Sequence, residues 1–144
     1  MLIPAAPGTW PAFWMLPSDN LVAPTPSVAE IDALEAYGVH PLDACHSTHQ
    51  YTSGNEDAGI SRCGQRFASD RDALSWHTYG VSITPTDITY YIDGRVVAAA
   101  PQVQGGGSPM FFMVNLALGG GWPIDLASVQ DRATLYVDYV RVYV

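Results

Sequence analysis

The sequence predicts an all-β protein that forms a single domain over residues 1–144. Apolar residues make up 48% of the chain and aromatic residues 11%, and they are accompanied by 13 glycines and 11 prolines. This balance is typical of short strands joined by tight turns rather than of a helical bundle. The length is that of one domain, large enough to bury a sizeable core.

The charge balance excludes several partners. The formal net charge is -8, with six Lys and Arg residues against 14 Asp and Glu residues. So few basic residues leave no basic stripe to hold a phosphate backbone or an anionic membrane surface. No apolar run approaches the roughly 20 residues of a membrane-spanning helix. We therefore expect neither nucleic acid nor a membrane as a partner, whereas a neutral polysaccharide is compatible with this composition.

The first predicted strand is a dense aromatic run over residues 9–16 that stops at Pro17. Trp10 and Trp14 are an even number of positions apart, so they share one face of a strand. An indole stacks well on the apolar face of a sugar ring. Burial in the core is the commoner environment of a Trp, and the pattern leaves both interpretations open.

Three carboxylates lie within six residues in the stretch Glu-Ile-Asp-Ala-Leu-Glu at positions 30–35, although only 14% of the chain is charged. In a regular strand Glu30 and Asp32 share a face, whereas Glu35 points away. A single β-bulge between Asp32 and Glu35 restores Glu35 to that face. The alternative is a helix start in which Ser27 caps the first turn and Glu30 closes a capping box.

A row of three acids on one face has a specific chemical use. Neighbouring carboxylates do not all ionise easily, so one keeps its proton while another stays anionic. A retaining glycosidase needs this pair, because a carboxylate attacks the sugar while a carboxylic acid protonates the leaving oxygen at a separation of roughly 5 to 5.5 Å. In the bulged strand the three acids are therefore candidate catalytic residues.

The predicted strand at residues 42–52 carries two histidines and a cysteine. His46 and His49 would point to opposite faces, and no third ligand follows at a zinc spacing, so we do not expect a zinc site. His49 is instead a candidate to hydrogen-bond a carboxylate or a substrate hydroxyl. Cys45 and Cys63 are the only cysteines, and they form either one disulfide or two free thiols.

The later strands are predicted from β-rich runs between turns. A hairpin joins residues 76–84 to residues 88–93, and an Asp-Gly turn then leads into a further strand. The apolar run at residues 110–118 is interrupted by Asn115, whose amide needs a partner from backbone, carboxylate or substrate. Trp122 follows on a glycine loop and is a candidate to stack on a sugar.

The last predicted strand covers residues 135–144 and is apolar on both sides, which suits the centre of a sandwich. Asp138 in this strand is explained either by a partner such as Arg141 or by a calcium ion, if other oxygens converge on it. Residues 1–8 have no positive region and too few apolar residues for a secretory signal. No motif supports a nucleotide site or a serine hydrolase.

Several motifs, taken in order, resemble glycoside hydrolase family 16, the β-jelly-roll endo-glycanases that include laminarinases, lichenases and agarases. The acidic stretch matches the Glu-x-Asp-x-x-Glu signature of that family, which is the bulged form. The resemblance runs from about Gly8 to the end and implies a concanavalin-like β-jelly-roll sandwich. Its other segments are residues 10–14, 76–94, 115–123 and 136–143.

The resemblance also implies roles for individual residues. Glu30 would be the nucleophile, Glu35 the general acid/base, and Asp32 the helper that hydrogen-bonds the nucleophile. The reaction requires no cofactor, but the family often carries a structural calcium ion, and Asp138 matches one ligand position. Candidate substrate-binding residues are Trp10, Trp14, His49, Asn115 and Trp122.

The sequence departs from the family pattern at its N-terminal side. Family domains have several strands before the Trp-Pro-Ala-Phe-Trp segment, so this chain is expected to lack them, either as a fragment or as a minimal domain. By resemblance we expect a secreted or extracellular retaining endo-β-glycanase that hydrolyses a β-1,3-linked or mixed-linked glucan or a related polysaccharide. The alternative is a non-catalytic, lectin-like carbohydrate-binding module or an inactive remnant on the same fold.

Overall fold

The computed structural model describes residues 1–21, 28–52, 57–103 and 106–143. Within these ranges the structure is nearly all β, as predicted, with one short helix at Asp70–Ala73 and short 3-10 turns at Ser18–Leu21 and Ala127–Val129. No helix in the described ranges is long and apolar enough to cross a membrane. The strands are β1 (Thr9–Pro17), β2 (Val28–Glu35), β3 (Asp43–Tyr51), β4 (Ile60–Gln65), β5 (Tyr79–Ile83), β6 (Asp87–Ile92), β7 (Arg95–Pro101) and β8 (Met110–Leu118).

The strands form two antiparallel sheets that pack as a sandwich. The large sheet has the order β4-β3-β2-β1-β8, and the small sheet has the order β5-β6-β7. Ile31 of β2 is fully buried against Ile88 and Tyr90 of β6, so one face of the large sheet faces the small sheet. Because β2 is the middle strand of the large sheet, its other face lies at the centre of the open surface.

The acidic stretch forms strand β2 rather than a helix. The predicted helix cap at Ser27 lies outside the described residues, but Val28–Glu35 pairs on both sides, with β1 and with β3. On the β3 side the sheet is further tied by a disulfide between Cys45 and Cys63, which are paired positions of β3 and β4. Of the two alternatives for the cysteines, the structure therefore has the disulfide.

The predicted hairpin is confirmed and extends to three strands. Strands β5, β6 and β7 pair consecutively. Asp93 and Gly94 both have positive φ, 51° and 73°, which is the backbone of the two-residue turn that best matches strand twist. The Asp-Gly signal in the sequence therefore gave the correct turn between β6 and β7.

The prediction of a last, central strand at residues 135–144 is wrong, because the described part of this segment forms no regular strand. Among the described residues, the segment at 135–143 pairs only through one bridge between Tyr136 and Leu2, and Tyr143 is 83% exposed. Alternating apolar residues fit a central strand only if a neighbour lies on each side. The described part of the chain supplies Leu2 alone, so this apolar segment lies exposed.

Candidate active site

Strand β2 contains the predicted bulge. Asp32 lies opposite Trp14 of β1, and Glu35 lies opposite Ala12, so two residues of β2 face the single residue Phe13. The pairing with β3 shifts at the same place. The extra residue returns Glu35 to the side of the sheet on which the other two acids lie. That shared face, which is turned away from the small sheet, carries Glu30, Asp32 and Glu35.

Glu35 is held by two donors. The indole Nε1 of Trp10 and the hydroxyl of Tyr37 each donate to Oε1 of Glu35, both at 3.1 Å. The rings of Trp10 and Tyr37 stack with their centroids 5.8 Å apart. Glu35 is thus fixed in a half-buried position by two aromatic groups that also support each other.

His49 connects the central acid to a loop. Its Nε2 lies 3.2 Å from Oδ2 of Asp32, and its Nδ1 lies 2.5 Å from Oδ2 of Asp57. Asp32 is only 2% exposed, and within the described ranges its Oδ2 makes no well-aligned hydrogen bond, so its close contact there is the ion pair with His49. The imidazole also stacks on Tyr51, with a centroid distance of 5.6 Å. Asp32 is therefore buried beside a histidine that two carboxylates flank.

The surroundings shift the protonation of this cluster. Burial, with the charge of Asp32, raises the pKa of Glu30 to about 7. Burial and the charge of Asp32 also raise the pKa of Glu35, although the bonds from Tyr37 and Trp10 oppose this rise. Contact with Asp32, reinforced by Asp57, raises the pKa of His49 to about 9. At neutral pH the imidazole is therefore cationic, while the outer acids hold protons more tightly than ordinary Glu residues.

Two more predicted site residues lie on the same face at the β1 and β8 side. The indole Nε1 of Trp14 donates to Oδ1 of Asn115 at 2.7 Å. Asn115 is paired with Ala12, which in turn is paired with Glu35, so the three residues form one row across the sheet. The partner that the Asn115 amide needed is thus an indole, and its NH2 group is not engaged in that bond.

Trp122 lies farther along, on the glycine loop after β8. This exposed indole makes an edge-on contact with His40, with ring centroids 5.2 Å apart. The loop itself reaches the site, because a Cβ on Gly120 would come within 3.0 Å of the Trp10 ring. The structure therefore brings Trp10, Trp14, His49 and Asn115 onto the face of the acids, with Trp122 on the adjoining loop.

Three neighbours of the acids were not among the predicted site residues. Tyr37 follows Glu35 by two positions, and Tyr51 alternates with His49 along β3, so strand periodicity could have indicated both. Asp57 lies in a stretch with an ordinary turn composition, and its contact with His49 depends on how the chain returns after β3. No local sequence signal predicts that contact.

The acids also define where a cation could bind. One ligand atom from each of Glu30, Asp32 and His49 lies within 4.8 Å of the others. The cationic form of His49 opposes metal binding at neutral pH, because an imidazole ligand must be neutral. Across the described ranges this is the only such group of three, and it does not include Asp138. The calcium site at Asp138 stays a prediction.

This arrangement suits acid–base chemistry on a sugar. Two half-buried carboxyl groups with raised pKa values flank a buried carboxylate, and indoles border them on one side. Such a cluster can hold one proton on an outer acid while the other attacks or stabilises an electron-poor carbon. The indoles supply flat apolar surface beside these acids.

Comparison with known proteins identifies relatives that match nearly the whole of this chain. Endo-1,3-1,4-beta-glycanase EglC of Rhizobium meliloti (strain 1021) is 34% identical over 143 residues, covering 98% of this chain and 28% of EglC. Keratan-sulfate endo-1,4-beta-galactosidase of Sphingobacterium multivorum is 28% identical over 144 residues, covering 94% of this chain and 33% of that protein. The chain thus spans about a third or less of these two relatives.

Solved structures agree with the fold. The X-ray structure of endo-beta-1,3-glucanase from Pyrococcus furiosus superposes with a TM-score of 0.70 and 28% identity, covering 83% of this chain and 48% of that one. The family model described as Glycosyl hydrolases family 16 matches residues 1–141. These residues include the whole acidic row and both sheets. The chain belongs to glycosyl hydrolases family 16.

Proposed function

We propose that this chain carries the catalytic centre of a retaining endo-β-glycanase that hydrolyses β-1,3-linked or mixed-linked glucan or a related polysaccharide. The observation that carries the proposal is the bulge of β2, which brings Glu30, Asp32 and Glu35 to one face. The name of the Pyrococcus furiosus structure, an endo-beta-1,3-glucanase, supports a β-1,3-glucan as the substrate, and the name of EglC, an endo-1,3-1,4-beta-glycanase, supports mixed linkages. No cofactor is needed, because carboxyl groups supply both the nucleophile and the proton.

In this mechanism Glu30 attacks the anomeric carbon, and Glu35 protonates the leaving oxygen. Glu35 then accepts a proton from the water that hydrolyses the glycosyl ester on Glu30. The raised pKa of Glu35 and its fixed position between Trp10 and Tyr37 support its role as the acid. The chain stays chemically unchanged over one cycle.

Because its pKa is raised, Glu30 can act as the nucleophile only after it transfers its proton to another group. A nucleophile must be anionic, whereas a pKa of about 7 leaves Glu30 partly protonated at neutral pH. Moving that proton to Glu35 leaves the total charge of the coupled row unchanged. The positive charge that develops on the sugar next to Glu30 favours this distribution. We therefore assign the shared proton to Glu35 in the reactive complex.

Charge also narrows the proposed substrate. The net charge of -8 opposes a sulfated polymer such as the one named for the Sphingobacterium relative. A neutral glucan meets no such repulsion, and it presents sugar faces to Trp10 and Trp14. The disulfide between Cys45 and Cys63 supports an oxidising, extracellular location for the reaction.

The test is the release of reducing sugar from laminarin, lichenan and keratan sulfate by the purified chain and by Glu30→Gln. We expect hydrolysis of a neutral glucan, and a loss of at least about 1,000-fold in the variant, because amide nitrogen is not a nucleophile. Equal turnover by both proteins would contradict the role of Glu30.

The second candidate is a carbohydrate-binding module that does not hydrolyse its ligand. It is favoured by the raised pKa of Glu30, since the fraction of Glu30 that keeps its proton at neutral pH cannot act as a nucleophile and contributes only to a binding surface. Isothermal titration calorimetry with laminarin oligosaccharides, together with the assay for reducing sugar, distinguishes the enzyme from the binding module. Binding without any release of reducing sugar, with unaltered affinity in Glu30→Gln, would support the module and overturn the enzyme.

A further inference from the structure

His46 lies directly beneath the acids, on the opposite side of β3 from His49. It is fully buried, and its Nδ1 lies 2.9 Å from the backbone carbonyl oxygen of Ala33. A carbonyl can only accept a hydrogen bond, so Nδ1 carries the proton. Burial lowers the pKa of His46, which keeps the ring neutral. The side chain is therefore a fixed, neutral donor to one backbone oxygen.

That oxygen belongs to the bulge. The β2–β3 pairing passes from Asp32 opposite Ser47 to Glu35 opposite Cys45, so the ladder skips Ala33. A buried carbonyl that loses its ladder partner costs free energy unless another donor replaces it. The imidazole of His46 is that donor, and it offsets the cost of the extra residue.

The small sheet holds the imidazole in place. Tyr90 of β6 is fully buried and stacks on His46, with ring centroids 5.4 Å apart. The Tyr90 hydroxyl also donates to the carbonyl oxygen of Ser47 at 2.7 Å, which ties β6 to β3 beside the histidine. The small sheet thus contacts the bulge through a continuous path of two aromatic rings and one hydrogen bond.

We propose that His46, backed by Tyr90, is a positioning residue that sets the spacing of Glu30 and Glu35 through the bulge carbonyl. This inference rests on the proposed function of those acids. Loss of the bulge by a one-residue slip would turn Glu35 toward the core and Leu34 toward the open face. Even a smaller shift of Glu35 would matter, because a misplacement of about 1 Å can cost on the order of 100-fold in rate.

The experiment compares three substitutions at position 46. In His46→Asn the amide nitrogen occupies the place of Nδ1, in His46→Gln it lies one bond farther, and in His46→Leu there is no donor. We expect kcat in the Asn variant within about 5-fold of the original, and losses on the order of 100-fold in the Gln and Leu variants, with KM changed little. Ile88→Val, which loses a core methylene of the small sheet without touching the bulge, is the control for lowered stability.

A second measurement does not depend on turnover. The indole N–H of Trp10 bonds to Glu35, so its proton NMR resonance reports where Glu35 lies. We expect this resonance to move in His46→Leu and His46→Gln but not in His46→Asn or Ile88→Val. Equal effects of all three substitutions on kcat and on the resonance, or no effect in the Leu variant, would overturn the inference.

The two proposals fail in different ways. If the original chain is inactive on every polysaccharide while the Trp10 resonance follows the expected pattern, the proposed function fails and the positioning role of His46 stands. If the chain is active and the Leu variant keeps both its kcat and its Trp10 resonance, the positioning role fails and the proposed function stands.

Discussion

The indole of Trp10 and the carboxyl group of Glu35 are joined by a hydrogen bond of 3.1 Å from Nε1 to Oε1. The bond links the first strand of the large sheet to the acid at the end of the bulged strand. It favours the charged form of Glu35 and so limits how far burial raises the pKa of that group. Trp10 therefore acts on the proton of Glu35 as well as offering a surface to a sugar.

Replacing Trp10 by Phe keeps an aromatic ring but removes the donor. The pKa of Glu35 should rise further, so the acid form should persist to higher pH. We expect the basic limb of the kcat/KM profile to move upward by roughly half a pH unit to one unit, with a several-fold loss of kcat from poorer alignment. Trp122→Phe is the matched control and should leave that limb where it is. A downward shift in Trp10→Phe would contradict the role of Glu35 as the acid.

His49 should control the other limb of the profile. Its positive charge lowers the pKa of Glu30, against the stronger effects of burial and Asp32. Removing the charge in His49→Gln should therefore raise the pKa of Glu30, and the acidic limb of kcat/KM should move upward by about one pH unit. Asp57→Asn, which weakens the support of the imidazolium, should shift it in the same direction by less. If the acidic limb is unchanged in His49→Gln, the ionisation of Glu30 does not determine that limb.

The same groups make stability depend on pH. The folded-state pKa of Glu30 is raised from 4.5 to about 7 and that of His49 from 6.5 to about 9, so the folded chain binds more protons than the unfolded chain between these values. Stability should therefore fall as the pH rises from about 5 to about 9. In thermal denaturation, Glu30→Gln should weaken the dependence of Tm on pH in the lower half of this range. His49→Gln should weaken it in the upper half. A Tm that rises with pH across the range would contradict both shifts.

The disulfide between Cys45 and Cys63 closes a separation of 18 residues between neighbouring strands. A disulfide that closes a loop of this size restricts the unfolded chain and so adds about 3 kcal/mol to the free energy of unfolding. The double variant Cys45→Ser with Cys63→Ser should lose roughly that amount in urea denaturation, and a reductant should lower the original chain to the same level. Equal midpoints with and without reductant would mean that the bridge contributes no stability.

The sequence was sufficient where the signal is local and where the alternation of side chains between the two faces of a strand decides which residues share a face. The spacing of Asp32 and Glu35 predicted a bulge if β2 was a strand, and the order of flanking motifs resolved the choice against a helix. The Asp93-Gly94 turn was equally accessible, because it needs two residues that tolerate positive φ.

Sequence reasoning failed where the outcome depends on a partner elsewhere in the chain. The segment after Leu135 has the alternation of a central strand, yet alternation cannot say whether neighbouring strands exist to pair with it. The contact of His46 with the Ala33 carbonyl depends on the register between β2 and β3, which no local pattern specifies. The bond between His49 and Asp57 depends likewise on how the chain returns after β3.

Glu30 is the proposed nucleophile and Glu35 the proposed acid/base of a double displacement at the anomeric carbon. Proton NMR of the first products released from laminarin or lichenan tests this assignment most directly, before the anomers equilibrate. We expect the new reducing ends to appear first as the β anomer, because two successive displacements at the anomeric carbon, the first by Glu30, restore its configuration. Products that appear first as the α anomer would show a single displacement by water and would exclude Glu30 as the nucleophile.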